Sequence, residues 1–257
     1  MDFIDTHAHL FLPDFAEDLS NVIDRARNKG IRKILLPNID KSTIAPMLEL
    51  CRAYPGYCFP MIGLHPTSVK EDFAEELDEV EKYLNLQEFI AIGEVGIDLY
   101  WDKTYLPQQL EAFTHQIQLS RKYSLPLVIH SRDSFNEIVQ VLHKEHNGSP
   151  YSGIFHSFSG NLEQANEVIN LGFKIGMNGV VTFRNSGLDK VIKDIPLEYI
   201  VLETDAPYLT PVPYRGKRNE SGYIVYIAEK IADIKNISPE EVGRITTQTA
   251  KTLFKLS

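Results

Sequence analysis

The stretch "FIDTHAHL", residues 3–10, is a short apolar run that ends in two histidines, His7 and His9, two positions apart. Seven further apolar runs follow, and longer amphipathic stretches separate them. These runs begin at residues 33, 57, 89, 126, 153, 173 and 199. Continuous apolar runs of this length, rich in Ile and Val, are typical of strands buried on both faces. The pattern therefore predicts eight strands, the first of which carries the two histidines at its end.

The stretches between the runs have the apolar spacing of helices. Residues 14–30 place apolar side chains on one helical face and end at Gly30, a residue that commonly terminates helices. Residues 108–124 and 134–147 repeat this spacing, and Asn161 begins a capping-box motif. The sequence thus predicts strands and helices in alternation.

The strand starts are about 28 residues apart on average, which suits a βα unit. Eight such units close most simply into a single (β/α)8 TIM-like barrel, and we expect one domain over residues 1–257. An open doubly wound sheet is the alternative. No glycine-rich phosphate loop follows the first strand, which argues against it.

The composition limits the classes of function. The chain has 257 residues, is 43% hydrophobic and carries a formal net charge of −9, so broad nucleic-acid binding is not expected; an acidic total is compatible with a local basic patch. No apolar run of ~18 residues and no secretory pattern is visible, which favours a cytoplasmic location without membrane contact. Cys51 and Cys58 form no metal-binding or redox motif, and we expect two reduced thiols in or near the core.

Most of the predicted strands end in residues that can bind metals. In order they are His7 and His9, His65, Glu94, His130, His156, and Glu203 with Asp205. The carboxyl ends of barrel strands form one face, where active sites lie, so these side chains should converge there. Residues two apart on a strand share a face, so His7 and His9 should point inward together, as should Glu203 and Asp205.

A cluster of imidazoles and carboxylates predicts a metal site. Six ligands are too many for one tetrahedral ion and suit a binuclear site, with two divalent cations ~3.5–4 Å apart. We assign His7, His9 and Asp205 to one ion, His130 and His156 to the other, and Glu94 to a bridging position. Such ligands suit Zn, Mn, Fe, Co or Ni, and the identity of the metal, Mg included, stays open.

Positive charge is concentrated in the loop "YRGKRN", directly after the eighth strand. That loop is a common phosphate site in barrels, and the alternative is an ordinary solvated loop. The candidates for substrate binding are Arg132, Arg215, Lys217 and Arg218. Tyr100 and Trp101 follow Glu94 closely and would either stack on a base or pack beneath their loop.

With these residues in place, the sequence resembles the TatD family of metal-dependent deoxyribonucleases, in the amidohydrolase superfamily. The matching stretches are "FIDTHAHL", "GLHP", "IGEVGIDLYW", "PLVIHSRDSF", "FHSFSG" and "ETDAPYLTPVPYRGKRNE". The resemblance implies a TIM-like barrel, divalent metals and hydrolysis of DNA phosphodiesters, often as an exonuclease. It also implies the ligand set named above, with His65 and Glu203 as active-site residues outside it. Tyr214 stands where the family often has His, and Ser221 stands where it often has Pro, which leaves substrate preference open.

These residue types suggest roles in hydrolysis by a metal-activated hydroxide. Asp205 would take the proton of the nucleophile, Glu203 would hold a neighbouring histidine or a water, and His65 would donate to the phosphate or the leaving oxygen. The expected partner is DNA, as single strands or strand ends bound weakly and locally, with no obligate protein partner. The alternatives are an aminoacyl-tRNA ester deacylase, another amidohydrolase-type hydrolase of small molecules, and a metal-binding module without catalysis.

Overall fold

The computed structural model describes residues 1–257 and contains eight parallel strands, as expected. They are β1 (Phe3–Asp5), β2 (Ile31–Pro37), β3 (Cys58–Met61), β4 (Ile92–Asp98), β5 (Leu127–Arg132), β6 (Gly153–Phe155), β7 (Phe173–Met177) and β8 (Ile200–Leu202). The strands form two parallel sheets, β1-β2-β3 and β4-β5-β6-β7-β8, in which neighbours along the chain pair with each other. The predicted α/β barrel is confirmed, and the open sheet is excluded by the closure described below.

Nine α-helices accompany the strands. They are α1 (Leu19–Asn28), α2 (Lys41–Ala53), α3 (Phe73–Leu86), α4 (Leu106–Tyr123), α5 (Phe135–Lys144), α6 (Leu162–Asn170), α7 (Leu188–Asp194), α8 (Ile224–Lys235) and α9 (Pro239–Phe254). None of them is long and apolar enough to cross a membrane. The eight βα units are thus followed by one additional helix, α9, which packs against β1 and β8.

The predicted helix over residues 14–30 is wrong at its start. A 3-10 turn occupies Pro13–Phe15, and α1 begins only at Leu19, because Phe15 leaves the helical path to become fully buried in the core. The end is as predicted, with Gly30 at a φ of +87° just after the helix. The capping box that begins at Asn161 is also confirmed. Both cysteines are free thiols, and Cys58 is buried.

The barrel has two separate packing layers. A large cluster joins the outer faces of the strands to the helices, and a smaller one fills the barrel interior. The interior cluster includes Val128, Ile154 and Val201, and α9 adds Ala250 and Phe254 to it. Because alternate residues of a strand share a face, the interior face continues from these three strand residues to positions 130, 156 and 203. The layer therefore supports the side chains expected to form the site.

The barrel closes through a few backbone contacts just beyond the regular strands. Single bridges join Ala8 to Ala206 and Ile62 to Ile92. Between the first and last strands, the Asp205 N–H donates to the His7 carbonyl at 2.8 Å, and the His9 N–H donates to the Ala206 carbonyl at 2.7 Å. The extension of β1 that carries the histidines is thus hydrogen-bonded to the extension of β8 that carries Asp205.

The side chain of Asp5 reinforces this closure. It is fully buried; Oδ1 accepts from the backbone N–H of Thr204 at 2.9 Å and of His7 at 3.3 Å, and Oδ2 accepts from the Thr204 hydroxyl at 2.6 Å. Burial raises the pKa of Asp5 to about 7, against the lowering effect of these bonds. One carboxyl group therefore links the segment that follows β1 to the segment that follows β8.

We expect Asp5→Ala to lower the free energy of unfolding by roughly 2–5 kcal/mol, because buried donors at Thr204 and His7 lose their acceptor. Asp5→Asn keeps one acceptor oxygen and should cost clearly less. Urea unfolding followed by circular dichroism measures both changes. Asp2→Ala removes a carboxylate that is 60% exposed and paired with Arg32, and it should change stability by no more than about 0.5 kcal/mol. Equal losses for the Ala and Asn variants at position 5 would contradict the linking role.

Candidate metal centre

The predicted ligands converge at the carboxyl ends of the strands. The Nε2 atoms of His7 and His9 lie 3.2 Å apart. His7 Nε2 is 3.0 Å from Oε2 of Glu94, and His9 Nε2 is 3.5 Å from Oδ1 of Asp205. Two imidazole nitrogens therefore face each other between two carboxylates.

Glu94 lies at the centre of the cluster and is only 2% exposed. Its Oε2 faces one pair of histidines, and its Oε1 is 2.8 Å from Nδ1 of His130. Oε1 also lies 3.5 Å from Nε2 of His65 and 3.8 Å from Nε2 of His156. The five imidazoles within 4 Å of this carboxylate belong to His7, His9, His65, His130 and His156. Every strand-end histidine predicted from the sequence is thus a neighbour of Glu94.

The charges at the site are strongly coupled. Burial acts to raise the pKa of Glu94, but the surrounding imidazoles hold it well below its ordinary value. Burial acts to lower the pKa of His130, but hydrogen bonds to Asp98 and Glu94 raise it to about 9. Burial likewise acts to lower the pKa of His156, but nearby carboxylates, Glu203 foremost, raise it to about 10. Protons on these two histidines therefore balance the buried negative charge.

The donor set fits divalent cations. Three overlapping groups each offer three ligand atoms within 4.8 Å of one another: His7, His9 and Asp205; His7, Glu94 and His156; His65, Glu94 and His130. Nitrogen and carboxylate donors that face one point are what such cations require.

The grouping differs in part from the predicted assignment. His7, His9 and Asp205 lie together as expected, and Glu94 lies between the groups. His130, however, groups with His65 and Glu94, and His156 groups with His7 and Glu94, so Glu94 is common to both groups. The number of ions and the exact ligand set remain predictions.

The local backbone of Asp205 is unusual. Its φ is +58°, a region that few residues other than glycine adopt, although Asp tolerates it better than most. Its N–H is held by the His7 carbonyl across the barrel closure. Such a conformation is often found at functional sites, where the surrounding structure holds it in place.

Glu203 lies buried behind the metal-site cavity, whereas His65 lines it. Glu203 is fully buried, and its Oε1 accepts from the Ser157 N–H at 2.6 Å and lies 3.0 Å from Nδ1 of His156. It therefore positions His156 and does not line the cavity, whereas His65 does. Nδ1 of His65 accepts from the Thr67 N–H at 3.2 Å, so that the proton is on Nε2, which faces Glu94.

Asp98 is a site residue that the sequence interpretation missed. Its Oδ2 is 2.9 Å from Nε2 of His130, and its Oδ1 accepts from the backbone N–H groups of Tyr100 and Trp101. A signal was present in "GEVGID", since Asp98 stands four residues after Glu94 and so shares its face of the strand. Asp98 orients one imidazole and also holds the loop that follows β4.

The basic candidates are dispersed. Arg132 lines the cavity, but Arg215, Lys217 and Arg218 do not. Arg218 forms two 2.8 Å bonds to the carboxylate of Asp18, so its charge is already paired. Arg215 and Lys217 are exposed beyond the cavity. Among these four side chains, only Arg132 lies where it could contact a substrate bound over Glu94.

A (β/α)8 barrel with histidines and carboxylates gathered at its strand ends defines a metal-dependent hydrolase. Comparison with known proteins identifies the family: the TatD-related DNase profile matches residues 4–255, and the chain belongs to this family. It is 39% identical to the Bacillus subtilis metal-dependent hydrolase YabD over 254 residues, which cover 98% of this chain and 99% of that protein.

Solved structures agree. The Escherichia coli TatD homologue YjjV superimposes with a TM-score of 0.93 at 29% identity, covering 99% of this chain and 98% of that one. A TatD-family hydrolase from Entamoeba histolytica gives a TM-score of 0.86 at 27% identity, with coverage of 100% and 99%. The resemblance inferred from the strand-end motifs is thereby confirmed.

We expect Glu94→Gln to lose metal, because the amide keeps the shape but removes the charge at the centre of five imidazoles. Mass spectrometry of the purified protein after metal loading and desalting would measure the bound equivalents. Glu81→Gln is the matched control, since Glu81 also contacts a histidine, His115, but at the surface. Full metal content in Glu94→Gln would contradict the central role of this carboxylate.

Metal binding should release protons and strengthen with pH. With pKa values of about 9 and about 10, His130 and His156 are protonated at pH 6–8, whereas a cation needs neutral imidazoles. Each displaced proton should raise the apparent affinity about tenfold per pH unit in this range. Competition with a chromophoric chelator at pH 6, 7 and 8 tests this. His143→Gln, which removes a surface imidazole paired with Glu167, should leave the slope unchanged. A pH-independent affinity would show that metal binding displaces no protons from these histidines.

Proposed function

We propose that this hydrolase is a deoxyribonuclease that cleaves phosphodiester bonds at the ends of DNA strands. The observation that carries the proposal is a single cavity of about 630 Å³ with three features in its lining: the clustered imidazoles, the carboxylates Glu94 and Asp205, and the cation of Arg132. A phosphodiester is an anion, and its cleavage requires both a place for the charge and groups that transfer protons. Family membership supports the same activity.

Two divalent cations held by the predicted ligands would lower the pKa of a water molecule and offset the phosphate charge. Asp205 is placed to accept the proton of the attacking water, because its side chain lines the cavity and is 13% exposed. Burial acts to raise the pKa of Asp205, but the neighbouring imidazoles of His156, His9 and His7 outweigh burial and hold the pKa below its ordinary value. The carboxylate is therefore ionised and can accept a proton at neutral pH.

His65 is placed to act on the other side of the reaction. As the water oxygen bonds to phosphorus, the bond from phosphorus to the leaving oxygen breaks, and that oxygen needs a proton. The Nε2–H of His65, whose Nδ1 accepts a hydrogen bond from Thr67, is placed to donate a hydrogen bond to that oxygen. Burial lowers the pKa of His65, so the ring is neutral and the proton itself comes from solvent water. We assign His65 as the hydrogen-bond donor to the leaving oxygen, and Glu203 and Asp98 as residues that orient His156 and His130.

Binding of the nucleic acid should be local. With a net charge of −9 the protein does not attract DNA over its whole surface. Arg132 would contact a phosphate next to the scissile bond, and Arg215 and Lys217 would reach only more distant phosphates. A small number of phosphate contacts implies a small dependence of affinity on salt.

The proposal is tested by cleavage assays run in parallel on end-labelled single-stranded DNA, duplex DNA and aminoacyl-tRNA, with and without added divalent metal. We expect metal-dependent release of nucleotides from DNA ends. Preferential hydrolysis of the aminoacyl ester would instead favour a deacylase, and inactivity on all three would overturn both.

Asp205→Asn should reduce turnover on DNA roughly 10²–10⁴-fold, because the amide cannot accept the proton. Metal analysis must accompany the assay, since Asn retains an oxygen that can bind a cation. Asp189→Asn, which removes an exposed carboxylate paired with Lys230, should leave turnover unchanged. If excess metal fully restored the activity of Asp205→Asn, Asp205 would be a ligand without a role in proton transfer.

A further inference from the structure

An exposed aromatic ring stands at the rim of the metal-site cavity. Trp101, the single tryptophan of the chain, is 69% exposed and lines this cavity. Tyr100 beside it is also exposed, and the two rings meet edge to face with centroids 4.9 Å apart. Packing beneath the loop, the structural alternative for these two residues, does not account for rings that remain this open to solvent.

The loop that carries Trp101 is held in place by the site itself. Asp98 Oδ1 accepts from the backbone N–H groups of Tyr100 at 3.0 Å and Trp101 at 3.2 Å, while Oδ2 of the same carboxylate contacts His130. The backbone position of the aromatic ring is thus set relative to the metal ligands. A ligand that binds to this ring loses less conformational freedom than it would on a mobile loop.

A cation lies beside the aromatic pair. The guanidinium carbon of Arg132 is 3.8 Å from the centroid of the Tyr100 ring and 5.2 Å from that of Trp101. Arg132 is exposed and lines the same cavity. A positive charge next to exposed π-faces is the combination with which proteins hold the phosphate and the base of one unpaired nucleotide.

A second exposed ring lines the cavity from another direction. Tyr208 is 52% exposed and follows β8, whereas Trp101 follows β4. In a closed barrel of eight strands in sequence order, β4 and β8 lie on opposite sides. The cavity therefore has an aromatic side chain on each of two opposed walls, with the imidazole cluster between them.

We propose that Trp101, with Arg132 beside it and Tyr208 across the cavity, forms a stacking site for an unpaired base of a DNA strand end. This inference rests on the proposed function and deepens it, because it makes the preferred substrate a single-stranded or frayed end. In a duplex the bases are stacked on one another and do not offer a free face to the ring. Stacking is tolerant of sequence, so the site should accept any of the four bases.

The tryptophan provides its own reporter. Metal-loaded protein is titrated with a short thymidine oligonucleotide that has phosphorothioate linkages, which slow cleavage, while fluorescence of the only tryptophan is recorded. The matched ligand has the same length and linkages but carries abasic units throughout, so that every charge is kept and every base is removed. We expect saturable quenching by the thymidine ligand and little change with the abasic one.

Affinities of variants are measured by isothermal titration calorimetry with the same two ligands. Trp101→Ala should weaken binding of the thymidine ligand roughly 10-fold or more, and Trp101→Phe should retain much of the affinity, because a ring remains. Binding of the abasic ligand should be nearly unaffected by either change, since the base and the ring are partners in one contact. Leu86→Ala is the control, because Leu86 is equally exposed, at 69%, but lies at the end of α3 away from the cavity.

The outcomes separate this inference from the proposed function. Equal affinity for the two ligands, or an unchanged affinity in Trp101→Ala, would overturn the stacking site while leaving the nuclease proposal intact. An absence of binding by either ligand, together with inactivity on DNA, would remove the proposed function as well. Quenching and a loss of affinity confined to the thymidine ligand would support both.

Discussion

The structure depends most on one buried carboxylate, Glu94, surrounded by imidazoles from four other strands of the barrel. A charge at this depth is tolerated only if opposite charges or hydrogen-bond donors surround it. The neighbouring histidines meet this requirement, by protonation of His130 and His156 when no cation is bound. The same arrangement fits divalent cations, because a cation can replace the protons as the balancing charge.

Fold and site share the same hydrogen bonds at the junction between the first and last strands. The barrel is closed there by short extensions of β1 and β8, and those extensions carry His7, His9 and Asp205. Asp5 links the two extensions through buried hydrogen bonds and does not itself line the cavity. The position of Asp205 against the two histidines is therefore a consequence of barrel closure, and a change that loosens the closure should also disturb the ligands.

The distribution of charge explains how an acidic protein could act on an acidic polymer. The three cations after β8 were candidates for a phosphate clamp, but Arg218 is paired with Asp18 and none of the three lines the cavity. Arg132, stacked on Tyr100, is the cation that does. The surface combines a small local charge with aromatic faces, and under the proposed function it would capture one strand end in preference to binding along a duplex.

The sequence by itself determined the eight strands, the closed barrel and the identity of the residues around Glu94, because two-residue alternation and parallel strand order act locally or through simple topology. It did not determine how the ligand atoms group around Glu94: His130 groups with His65, and His156 groups with His7, since the ring positions depend on how side chains pack around one carboxylate. Nor could it show that Asp98 orients His130, 32 positions along the chain, or that Asp18 forms an ion pair with Arg218, 200 positions away. Such pairings arise from the three-dimensional path of the chain in the barrel, and the apolar periodicity of the sequence does not predict them.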